Sequence, residues 1–93
     1  MPKFLIERRI PDAGRLSPAE LQKIAGVSNN VLGQMRGEGK NVQWVQSYVT
    51  NGTIHCLYVA EDEECVREHA RRGGFPADAV FQVAGMIDPT TAE

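Results

Sequence analysis

Residues 42–60 read VQWVQSYVTNGTIHCLYVA, two runs rich in β-branched and aromatic residues on either side of Asn51-Gly52. That dipeptide favours a two-residue type I′ turn, in which both central residues take φ > 0. The turn would set the register: Thr50 opposite Thr53, Tyr48 opposite His55, Gln46 opposite Leu57 and Trp44 opposite Val59. Side chains alternate along a strand, so Trp44, Gln46, Tyr48, His55, Leu57 and Val59 are expected on one face. Val45, Ser47, Val49, Ile54, Cys56 and Tyr58 take the other. The second set is nearly all apolar and suits a core. The first mixes rings with an imidazole and an amide, and is where function is sought.

Working outward, Lys3–Arg9 alternates and reads as a strand, ended by Pro11–Gly14. Ser17-Pro18-Ala19-Glu20 is a helix start: Ser17 caps, Pro18 suits the first helical position and Glu20 closes a capping box. Leu21, Ile24, Ala25, Ser28, Val31, Leu32 and Met35 then share one helical stripe, and Gly37–Gly39 ends it. Glu61–Glu64 puts negative charge at the start of a second helix, with Asp62 as its cap. Cys65, Val66, His69 and Ala70 form that helix's inner stripe, and Gly73-Gly74 stops it. Ala79–Asp88 reads as a last strand with Phe81, Val83 and Ile87 on one face. Pro89–Glu93 is a polar tail.

The order is β-α-β-β-α-β, the α+β ferredoxin-like plan. It predicts one domain over residues 1–93: a four-stranded antiparallel sheet with two helices on one face. Phe4, Ile6, Phe81 and Val83 are expected under the helices. Leu5, Glu7 and Met86 would join the hairpin's mixed set on the open face. That face is too apolar to stand bare, so a homodimer packed sheet to sheet, as an α+β barrel, is expected.

The chain has 93 residues, 42% of them hydrophobic and 24% charged, and a net charge of −2. That balance gives no reason to expect a nucleic-acid or membrane partner. Arg67, Arg71 and Arg72 sit near a predicted helix C-terminus, where cations suit the dipole. The N-terminus has neither the long apolar stretch nor the cleavage site of a signal peptide, so a cytoplasmic chain with reduced Cys56 and Cys65 is expected. No CxxC pair, GxSxG, P-loop, GxGxxG or HExxH occurs.

His55 is the sharpest chemical candidate, mid-strand and opposite Tyr48. The first strand should lie beside it and bring Glu7 near. Imidazole with carboxylate suits a first-row divalent metal, or a general base with its orienting group. A plain sheet-surface histidine on a tyrosine fits equally. His69 lies four residues after Cys65, so both fall on one helical face, as metal ligands or as a core histidine beside a buried thiol. Glu68 reads as a solvated helix residue, and Cys56 as a small buried apolar group. Trp44, Gln46, Tyr48 and Leu57 would line a ligand pocket on the open face, or pack a dimer seam.

The stretches KFLIER, LSPAEL, WVQSYV, CLYVAEDEE, REHARRGGFPAD and IDPTTAE, taken together, resemble a family of small bacterial nickel-binding proteins. The resemblance runs over essentially the whole chain. It implies a ferredoxin-like protomer that dimerises through its sheet and binds nickel, with Glu7, His55 and His69 as candidate ligands here. The family pattern has histidine at the position of Gln46, so a ligand is lost there, and His55 on the neighbouring strand is available in its place. Three readings remain open: nickel sequestration or sensing, a barrel that binds or transforms a small molecule, and an interaction module without ligand.

Overall fold

The computed structural model describes residues 1–93. Its elements run β1 (Lys3–Arg9), α1 (Pro18–Gly37), β2 (Val42–Val49), β3 (Thr53–Ala60), α2 (Glu63–Gly73) and β4 (Ala79–Gln82), with 3-10 turns at Ala13–Arg15 and Pro89–Ala92. The four strands form one antiparallel sheet in the order β2-β3-β1-β4. Both helices begin where the sequence indicates. Ser17 Oγ accepts from the Glu20 N–H while Glu20 accepts from the Ser17 N–H, and Asp62 accepts from the Cys65 N–H. α2 ends at Gly74, whose left-handed φ of 72° costs glycine nothing.

The core lies between sheet and helices. β1 and β3 contribute Phe4, Ile6, Ile54, Cys56 and Tyr58; α1 contributes Val31, Leu32 and Met35; α2 contributes Cys65 and Val66. The apolar stripe of α1 is buried only in its second half, from Ser28 onward. Leu21, Ile24 and Ala25 stay half-buried above the sheet. A cluster of charges ties the C-terminal end of α1 to α2. Arg72 grips Glu38 with two bonds of 2.8 and 2.7 Å and also pairs with Glu68, which takes Lys40 at 2.6 Å. Glu68 is therefore a paired residue rather than a free solvated one.

The hairpin departs from expectation at two places. Neither Asn51 nor Gly52 has a positive φ, so the turn is not type I′. The segment after β1 is docked onto it. The Gly52 carbonyl accepts from Ile10 N–H at 3.1 Å and the Asn51 carbonyl from Gly14 N–H at 3.4 Å. A Cβ at Gly14 would stand 2.7 Å from Asn51 Oδ1 and 3.1 Å from Asn51 Cα, so the close approach favours glycine. Tertiary hydrogen bonds, not the dipeptide's own preference, shape this turn.

The second departure is a bulge. Pairing near the turn is as expected, with Tyr48 opposite His55 and Gln46 opposite Leu57. The register then slips between Trp44 and Gln46, and Trp44 faces Tyr58 rather than Val59. Val45 is the extra residue, 51% exposed. An inserted residue inverts the alternation beyond it. Val42 and Trp44 thus join the helix side, where Val42 is fully buried and Trp44 packs on the core. Deleting Val45 should leave the pairs 44–58 and 42–60 intact in a regular ladder. The deletion variant is expected to fold with stability within about 1 kcal/mol of the parent and an unchanged Trp44 emission maximum; a red-shifted emission would overturn the account.

β4 also differs. It ends at Gln82, not Asp88. Gln82 pairs with Phe4, and Val83 N–H reaches the Lys3 carbonyl at 2.8 Å. Beyond that point β1 has no residues left to pair with. The faces are the reverse of those expected: Ile6 pairs with Val80 and Leu5 with Phe81. Val80 packs on the core, whereas Phe81 is exposed on the open face. Asp78 pins this register, donating its N–H to the Glu7 carbonyl at 3.0 Å and accepting Arg9 N–H at 2.6 Å.

Candidate functional site

The open face of the sheet presents two rows across the strands. One runs Tyr48, His55, Glu7, Ala79 and the other Gln46, Leu57, Leu5, Phe81. His55 is exposed and Glu7 half-buried. They are direct cross-strand partners, so their side chains rise side by side from neighbouring strands. Tyr48 flanks His55 on the other side, and its hydroxyl accepts from Gln46 Nε2 at 2.5 Å. The second row is largely apolar, and Leu5 and Phe81 are both exposed. Beside it a shallow hollow is lined by Met1, Leu5, Leu57, Val83 and Met86.

His69 is not part of this arrangement. It is 0% exposed, on the inner side of α2 and under the opposite face of the sheet. Its Nε2 lies 3.1 Å from Ser28 Oγ, and its Nδ1 has no partner. The rings of Tyr58 and Phe75 stand at 5.2 and 5.7 Å. Burial, reinforced by the nearby Arg8 charge, pushes its pKa down to about 4, so it is a neutral core histidine at pH 7. Cys65 on the same stripe is buried, and burial with the Asp62 carboxylate pushes its thiol pKa up. Cys56 is buried on the helix side. The three candidate ligands are thus divided, Glu7 and His55 on one face and His69 beneath the other. No group of three or more His, Cys, Asp or Glu side chains within the chain is placed to hold a metal.

Trp44 leaves the pocket group for the reason given above. Gln46, Tyr48 and Leu57 remain on the open face, while Trp44 donates its indole N–H to Ser47 Oγ at 2.9 Å on the helix side. There it borders a cavity of about 250 Å³ between the sheet and the first half of α1. The other residue that sequence reasoning missed is Arg8. It is on the core face with Phe4 and Ile6, and is 3% exposed. The alternation of β1 already put Arg8 inward, the one signal available.

A family model described as "Nickel responsive protein SCO4226-like" matches residues 4–83. The chain belongs to that family. A crystal structure of SCO4226 from Streptomyces coelicolor A3(2) is similar in fold, with a TM-score of 0.75 and 22% identity over 91% of this chain and 99% of that one. No curated protein matches. The SCO4226-like match spans β1 through β4 and so takes in the paired Glu7 and His55. No helix is long and apolar enough to cross a membrane.

Proposed function

We propose that this SCO4226-like chain is a nickel-binding protein of ferredoxin-like plan, which sequesters or senses the ion and works as a homodimer packed through the open sheet face. The observation that carries the reading is the pairing of Glu7 with His55 across β1 and β3. An imidazole and a carboxylate are N/O donors suited to nickel, whose affinity stands high in the divalent series. The family description points to the same metal.

One chain offers two donors, which is too few for a specific site. A second copy over the same face would bring a second Glu7–His55 pair by symmetry. The exposed apolar row, with the exposed Met86 in the hollow beside it, supplies the kind of surface that such packing covers. Gln46 adds a neutral amide to this face rather than a strong ligand.

Calorimetric titration of tag-free, chelator-stripped protein with nickel tests the reading. Stoichiometric binding is expected, weakened at least tenfold by His55→Ala or Glu7→Gln and unchanged by His69→Gln. Leu5→Asp should shift the sedimenting species towards monomer and weaken nickel in parallel. Weak, superstoichiometric binding indifferent to His55→Ala would sink it.

A further inference from the structure

A charge buried in a protein interior is costly unless an opposite charge or a full set of hydrogen bonds accompanies it. Arg8 meets neither condition. It forms no ion pair: the chain's salt bridges join other residues, Glu38 and Glu68 with Arg72 and Lys40, Glu63 with Arg67 and Glu64 with Arg71. Asp78, two residues after the Pro76 whose carbonyl Arg8 meets, spends its Oδ2 on the backbone N–H of Arg9. The guanidinium partners are all neutral. Nε points at Cys56 Sγ at 3.4 Å, Nη2 at the Tyr58 hydroxyl at 3.3 Å and Nη1 at the Pro76 carbonyl at 2.6 Å. The faces of Tyr58 and Phe75 lie 5.9 and 5.5 Å from its central carbon. A guanidinium has five N–H donors, so each terminal nitrogen keeps one uncommitted.

Arg8 is also the sole charged residue in the wall of the cavity of about 250 Å³ beneath α1. The rest of the wall is chiefly apolar, with Leu21, Ile24 and Ala25 from α1 facing Val49, Ile54 and Trp44 from the hairpin. Ser28, Ser47 and the Tyr58 hydroxyl add short-range polarity. The volume corresponds to about eight waters at liquid density, yet the walls offer few groups to hold water. An apolar chamber with one unneutralised, fork-shaped cation suits a ligand with an apolar body and a single planar anion. A phosphate dianion would need more donors than this wall provides.

We infer that the chamber between α1 and the hairpin binds a small monocarboxylic acid, its carboxylate on Arg8 and its apolar body against Leu21, Ile24 and Ala25. This site lies on the opposite side of the sheet from Glu7 and His55 and is independent of the metal reading. Occupancy gives Arg8 the counter-charge that the chain omits and completes the burial of the α1 stripe.

Trp44 is the chain's one tryptophan and lines the chamber, so its fluorescence reports occupancy. Titration with octanoate, of about ten heavy atoms, should change Trp44 emission saturably at one site per chain. Octan-1-ol, the same body without the charge, should bind at least tenfold more weakly. Arg8→Gln should bring octanoate down to the level of octanol. Ala25→Phe, a change on a half-buried helix face that fills the chamber, should abolish both responses while circular dichroism stays unchanged. Should Arg8→Gln fail to fold, the octanoate–octanol ratio and Ala25→Phe still decide. Absence of a saturable response, octanol binding as tightly as octanoate, or octanoate binding untouched by Ala25→Phe would each overturn the assignment.

Discussion

Phe4→Ala is expected to lower the unfolding free energy by roughly 3–5 kcal/mol, and Leu5→Ala, one residue on, by less than about 1 kcal/mol at protein concentrations that favour monomer. Phe4 is 2% exposed in a strand flanked on both sides, while Leu5 is 46% exposed on the opposite face. Truncating Phe4 leaves a hole under two helices that the central strand cannot move to fill. A chain of this length has a total stability on the order of 5–14 kcal/mol, so the variant would be close to unfolding. Urea denaturation checks it, with a lower midpoint and an unchanged slope. Equal losses at the two positions would mean that the open face is as dry as the core.

Acid should begin to destabilise the protein through His69 near pH 6.5, before the carboxylates start to titrate. Its pKa falls from 6.5 to about 4 on folding, because burial, and then the Arg8 charge, disfavour the imidazolium. Above pH 6.5 both states are neutral at this residue and stability is full. Between 6.5 and 4 the unfolded chain takes up a proton that the folded chain refuses, so stability falls as pH falls. The accumulated loss is about 3 kcal/mol. His69→Gln should flatten the curve in that window while lowering its plateau, since Ser28 loses an imidazole partner. Glu38, held down to about 2 by Arg72, and Glu68, held down by Lys40, act in a separate window. Their contribution is complete above pH 4.5 and is lost below it. An unfolding midpoint that stays flat from pH 7 to 4.5 would refute the role given to His69.

Local signals were strong wherever a residue's neighbours in sequence are also its partners. Both helix starts were legible because Ser17 and Asp62 bond to N–H groups three residues away. The inner stripe of α2 was legible from spacing alone. So was the Tyr48–His55 pair, whose register is counted from the nearby turn. Reading failed where a distant segment decides. The carbonyls of Asn51 and Gly52 answer to Ile10 and Gly14, some forty residues earlier. The bulge at Val45 carries no mark in VQWVQSYV, since a tryptophan suits either face of a sheet. The faces of β4 were misassigned because Ala79–Val83 has apolar residues at both parities, and Asp78 fixes the choice through β1. Of the candidate site, the Glu7–His55 juxtaposition was readable from topology. The burial of an unpaired Arg8 was implied by alternation and overlooked because arginines are so seldom found inside.

The bulge at Val45 also bears on how this protein avoids self-templating. β2 and β4 are the two outer strands, and an outer strand with unpaired N–H and C=O groups invites another chain to add on. At β2 the inserted residue breaks the even spacing that an incoming strand would need. At β4 the strand is only four residues long, which leaves little length to dock on. Neither margin can grow by strand addition, so copies of this chain that meet in a crowded solution are steered away from fibrils and towards contacts that terminate.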